Sequence, residues 1–146
     1  MEAIPYLALV SALAGLGLAF YYFGLVKKES SGNARMTELM EEIAVGARAF
    51  LKQEYTYVAV FVAVMAVLIG ALIVPLGALS YIFGAFLSAL AGYVGMTVAT
   101  MANARTTEAA RVGGPAKALP LAFRGGAVMG FTVAGLALAE IGRAHV

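Results

Sequence analysis

Residues 88–110 read SALAGYVGMTVATMANARTTEAA, and this stretch decides the fold. It begins as a slim apolar helix and runs without a break into a charged, helix-favouring segment. Gly84, Ser88 and Gly92 recur every four positions, as do Ala91, Gly95 and Ala99. Side chains four apart lie on one helix face, so the spacing gives two flat faces where another backbone can come close. Apolar bulk alone does not bring helices together in lipid, and small-residue faces do. The stretch therefore predicts a helix packed against other helices inside a membrane.

The rest of the chain agrees. Of its 146 residues, 62% are hydrophobic and 12% charged, with mean hydropathy +0.91. Soluble domains carry about 25% charged residues, so an integral membrane protein is expected. Charges are absent between Glu2 and Lys27, between Glu54 and Arg105, and from Gly125 to Ala139. A span needs ~20 apolar residues to cross ~30 Å of hydrocarbon. The middle stretch suffices for two spans, with Pro75-Leu76-Gly77 as the break. The expected fold is all-α: a polytopic bundle of four transmembrane helices over residues 3–26, 37–74, 79–112 and 120–140.

Nine of the ten basic residues fall between spans one and two or between spans three and four. The positive-inside rule makes that side cytoplasmic. Residues 27–42 and 105–120 are then cytoplasmic, and the N-terminus and the Pro75 turn face out. The first span has no basic start and is followed by Lys27-Lys28, unlike a cleavable signal peptide. The net charge of +2 marks topology rather than a nucleic-acid partner.

Along the chain, Pro5 sits in a first turn, where its missing N–H costs little. Ser11 and Gly15, extended by Gly17, make a slim face. Tyr21, Tyr22 and Phe23 fit an interfacial belt. Residues 28–35, KESSGNAR, read as a connector, and Thr37 with Met40-Glu41-Glu42 as a helix start. Ile43, Ala47, Phe50 and Leu51 form an apolar face on the part of the second helix that overshoots the bilayer. Glu41, Arg48 and Lys52 lie off that face, either solvated or paired with neighbouring helices. Gly113-Gly114-Pro115 ends the third span, glycine at the cap and proline beyond. Pro120 lies in the first turn of the fourth, and Gly126 and Gly130 form a GxxxG pair read as intramolecular packing.

Chemistry-bearing residues are sparse. There is no cysteine and no aspartate, and His145 is the single histidine. Thr97, Thr100 and Asn103 line one side of span three. They read as an ion path or, in preference, as interhelical hydrogen bonding, because none is ionisable. There is no P-loop, dinucleotide fingerprint or zinc-ligand spacing. Gly113-Gly114 lacks the Lys-Ser/Thr of a phosphate loop. No catalytic, cofactor-binding or metal-ligating residue is assigned.

Four segments in order resemble one family: IAVGARAFLKQEY (43–55), the stretch 88–110, ALPLAFRGGAVMG (118–130) and FTVAGLALAE (131–140). They are similar to the N-terminal quarter of membrane-bound, ion-translocating inorganic pyrophosphatases. The resemblance implies a sixteen-helix protomer in a homodimer that hydrolyses pyrophosphate with Mg²⁺ and moves H⁺ or Na⁺ outward. The helices here would be the first four, in an outer ring around the catalytic helices. Separately, the compact loops suit a prokaryotic cell membrane. The family's Asp-rich and Lys-rich substrate motifs match no position here, so this segment is expected to be an inactive scaffold. Pyrophosphate would bind elsewhere, and the partners are the lipid bilayer and the remaining helices. Residues 1–140 are assigned to that domain. Residues 141–146, IGRAHV, depart from the Gly/Leu-rich continuation that the resemblance implies. One codon spelling of them resembles a sequencing-library adapter followed by a stop, so they are expected to be a foreign tail. The short charge-free run of the fourth span agrees with truncation. The alternatives are a stand-alone four-helix assembly module and a small channel-like oligomer.

Overall fold

The structure, a computed structural model, describes the backbone of Ala3–Ala144 and the side chains of residues 4–141. The expectation for the tail therefore falls, apart from Ile141, outside the residues described with side chains, as does the reading of His145.

Three helices form: α1 (Ala3–Lys28), α2 (Ala34–Leu72) and α3 (Pro75–Ala144). All three are long and apolar enough to cross a membrane. Helices are what such sequences must form in lipid, where every backbone N–H and C=O needs an internal partner. Lys27 and Lys28 occupy the last turn of α1, where cations oppose the helix dipole. The start of α2 lies three residues before the expected Thr37. Asn33 caps it, its Oδ1 accepting from the Met36 N–H at 2.9 Å. Thr37 instead bonds back to the Asn33 carbonyl and Ser31. With 39 residues, α2 is about 58 Å long and overshoots the bilayer.

Where four helices were expected, three form among the described residues, and the third consists of two helical arms joined at one kinked residue. No loop separates the segments predicted at 79–112 and 120–140, because helix runs on both sides of a single kinked residue. That residue is Gly114, at φ 62° and ψ −164°. A left-handed φ of this kind is favourable only for glycine. Pro115 follows at the start of the second arm, where proline is tolerated. The two arms, 75–113 and 115–144, fold back on each other. Gly84 lies against Glu140, Gly95 against Met129 and Gly125 against Ala102. Indices on one arm rise as those on the other fall, as in an antiparallel hairpin.

This hairpin is the centre of the bundle. On one side α1 packs against both arms, and on the other α2 packs against α3, with no α1–α2 packing among the described residues. The α1 seam has two buried clusters, Ala19–Val98–Val128 and Val26–Ala102–Leu121. Tyr22 stacks on Phe131 at 6.2 Å between ring centroids, so it packs inward rather than joining a purely interfacial belt.

Burial is slight for so apolar a chain. Only 6% of the most apolar window of α2 is buried inside the protein, so its cover must come from lipid or from other helices. Of the expected apolar face on the overshoot, Leu51 is buried and Ile43 and Phe50 are exposed. Glu41, Arg48 and Lys52 are exposed, as a solvated face requires.

Candidate functional site

Two concavities stand out, one in the apolar region and one at the basic end. The first is a groove of about 980 Å³ between α2 and the first arm of α3. Its floor is the small-residue face read from the sequence. Tyr55 reaches from α2 and donates its hydroxyl to the Ala89 carbonyl. A Cβ on Gly92 would stand 3.2 Å from that hydroxyl oxygen, so glycine here makes room for the tyrosine. Met129 lies over Gly95, and the Glu140 carboxylate lies over Gly84, where a Cβ would meet Oε1 at 2.7 Å. Glu140 is half-buried and lines the groove with Ser88 and Tyr55.

Sequence reasoning missed Glu140 as a groove residue and took it only as the end of a charge-free run. The available signal was Gly84, which opens a place for a side chain from the other arm. A carboxylate here can accept hydrogen bonds from a neighbouring helix. Among the described residues, no three of His, Cys, Asp and Glu come together.

Two packing expectations are corrected. Thr97 donates to the Tyr93 carbonyl at 2.8 Å, and Thr100 to the Met96 and Thr97 carbonyls at 3.0 Å. These bonds lie within one helix, not between helices, because a threonine hydroxyl is short enough to reach back to its own i−4 carbonyl. Asn103 is exposed, and its carbonyl accepts from Thr107. Nor does the Gly126–Gly130 pair pack: nothing lies within 4 Å of a Cβ at either position. Gly125 and Gly135 hold the close contacts instead, one residue before and five residues after that pair. The Ser11–Gly15 face is half right. A Cβ on Gly15 would stand 3.6 Å from the Phe131 carbonyl oxygen and 3.8 Å from the Gly135 Cα, while Ser11 is exposed and Gly17 faces open space.

The second concavity, about 580 Å³, lies at the basic end between the α1–α2 connector and the turn of the hairpin. Arg105, Lys117 and Arg124 line it. Arg105 Nε donates to the Glu29 carbonyl at 3.0 Å, and one terminal nitrogen donates to the Met101 carbonyl at 3.0 Å. Glu108 is held by Arg111 through two bonds of 2.7 and 2.8 Å.

Replacing Tyr55 by Phe tests the first groove. The Ala89 carbonyl keeps its helical partner, so only the interhelical bond is lost. A loss of ~0.6 kcal/mol is expected, the average for such bonds in membranes. The check is the midpoint of detergent-induced unfolding in mixed micelles, with Tyr57→Phe, on an exposed tyrosine, as the comparison.

Residues 13–146 match the family model described as inorganic H⁺ pyrophosphatase. A K⁺-insensitive pyrophosphate-energized proton pump of Methanosarcina mazei is 41% identical over 141 residues, covering 94% of this chain and 21% of the relative. A protein of the same name from Pyrobaculum aerophilum is 40% identical over 146 residues, covering 94% of this chain and 20% of the relative. A K⁺-stimulated pyrophosphate-energized sodium pump of Thermotoga maritima is 40% identical over 129 residues, covering 86% and 18%. The chain thus spans about a fifth of the length of these relatives.

Proposed function

Because the chain belongs to the inorganic H⁺ pyrophosphatase family, we propose that it is the N-terminal, outer-ring part of a pump that couples pyrophosphate hydrolysis to H⁺ or Na⁺ transport. Its own work is to hold the catalytic helices. The observation that carries this reading is the family match over residues 13–146, joined to coverage of only a fifth of each relative. The exposed α2 and the small-residue groove add support, since both leave helix faces for further helices to cover.

In this reading the two arms of α3 are separate crossings, giving four in all. The N-terminus lies outside, and residues 27–42 and 105–120 lie in the cytoplasm of a prokaryotic cell. The whole protein is a homodimer of sixteen-helix protomers. Its Mg²⁺ is bound by other segments. The described residues here do not fit a Mg²⁺ site, since Glu38 and Glu108 are tied to Arg35 and Arg111 and no acidic triad forms. Proton-pump and sodium-pump relatives match to the same degree, 41% and 40%, which favours placing ion choice outside this segment.

A chimera tests the proposal. Residues 13–140 replace the corresponding part of the Thermotoga maritima pump, and pyrophosphate-driven Na⁺ uptake into vesicles is measured. Uptake within an order of magnitude of the parent is expected. A chimera that assembles but does not transport would refute the scaffold role. Pyrophosphate hydrolysis by the 146-residue chain alone would refute the placing of catalysis elsewhere.

A further inference from the structure

We propose that the basic concavity at the hairpin turn is a binding site for the headgroup of an acidic phospholipid. The argument begins with its level. Arg105 is the first charge after the charge-free run of the first arm, and Arg124 is the last before that of the second. Both therefore stand at the edge of the hydrocarbon. The Arg105–Glu29 contact puts the end of α1 at the same height.

Charge comes next. Three cations line the site, against Glu29 and Glu108. Arg111 neutralises Glu108 through its paired hydrogen bonds. Neither Lys117 nor Arg124 has a hydrogen-bonded or ion-pair partner among the described residues. The second arm starts at Pro115, so the positive end of its dipole adds to the same field. Basic pockets between helices at the membrane edge suit phosphate-bearing headgroups.

The level decides between a lipid and a free phosphate. With Arg105 and Arg124 at the hydrocarbon edge, a lipid phosphate held between them keeps its acyl chains in the bilayer. A free phosphate gains nothing from that position. The volume of about 580 Å³ lies within the range of small-molecule sites.

The test uses the 146-residue chain in nanodiscs of phosphatidylcholine with a minor share of phosphatidylglycerol, read by native mass spectrometry. The wild type is expected to retain one phosphatidylglycerol in preference to phosphatidylcholine. Lys117→Gln with Arg124→Gln should cut that retention about thirtyfold, equivalent to ~1 kcal/mol for each lost charge. Lys27→Gln with Lys28→Gln removes the same charge outside the concavity and should leave retention within about threefold, whereas diffuse surface attraction would lower both variants alike. Equal loss in the two double variants overturns the site. So does the absence of a phosphatidylglycerol preference in the wild type, a result that needs no variant to fold. Displacement of the lipid by millimolar inorganic phosphate would assign the concavity to a free anion and overturn the lipid reading.

Discussion

Gly125→Leu is expected to separate the two arms of α3 and to destabilise the bundle by ~2 kcal/mol or more, while Gly126→Leu leaves it unchanged. A Cβ at position 125 would stand 2.9 Å from the Cβ of Ala102, well inside van der Waals contact. Ala102 has no flexible end to swing aside, since its Cβ is bonded directly to the helix backbone. The arms must part by most of an ångström, and a gap of 0.5–1 Å forfeits a quarter to a half of each dispersion contact across it. The cluster of Val26, Ala102 and Leu121 lies beside that seam, so the loss extends beyond one pair. Overpacking of this kind costs typically ~1–3 kcal/mol, and the leucine branch beyond Cβ puts this site toward the upper end. At Gly126 nothing lies within 4 Å, so a leucine there meets lipid or a neighbouring helix. Detergent-induced unfolding of the two variants decides. Equal midpoints would show that the Gly125–Ala102 approach does not constrain the arms. Gly95→Leu should be milder than Gly125→Leu, because its nearest atoms, at 2.9–3.2 Å, belong to the flexible side chain of Met129.

Gly114→Ala is expected to cost about 1–3 kcal/mol through the backbone alone, the usual range for residues held in sparsely populated regions. At φ 62° and ψ −164° an L-residue places its Cβ against its own backbone. Beyond the adjoining backbone nothing lies within 4 Å of a Cβ there, so packing adds nothing to the cost. This makes a clean comparison available. A d-alanine at position 114, introduced by semisynthesis, adds the same methyl group with the opposite handedness, and for it this φ is favourable. The d-alanine protein should unfold at the glycine midpoint or above, and the L-alanine protein below it. If both fell equally, the strain would have another source. If neither fell, the hairpin would not depend on the kink.

The membrane class was legible because it rests on one-dimensional quantities. Charge-free runs long enough for ~30 Å of hydrocarbon can be counted, and the clustering of basic residues can be read directly. The position of the reversal was legible too, since Gly113-Gly114-Pro115 carries the glycine and the proline that a helix break requires. The family was readable from long motifs in order, and the match over residues 13–146 agrees. Of the small-residue faces, Gly84, Ala91, Gly92 and Gly95 lie at helix contacts, while Ser88 and Ala99 are exposed.

What the sequence alone left open is how tightly the chain turns and which small residue meets which neighbour. Residues 113–119 look like a loop, but a glycine followed by a proline at the start of a helix needs only one residue to reverse the chain. The Gly126–Gly130 pair has the expected spacing and faces open space, while Gly125 and Gly135 carry the contacts. Spacing fixes which residues share a helix face, but the rotation of that helix against its partners fixes which face is buried. Rotation is set by contacts distant in the chain, such as Leu16 against Gly135 and Tyr55 against Ala89. Glu140 over Gly84, and the three cations drawn together at the hairpin turn, follow from the same folding-back. The sequence by itself determined the solvent in which this protein folds and where its helices break. The tertiary structure decided which faces meet, because that depends on distances between residues that the order of the chain does not contain.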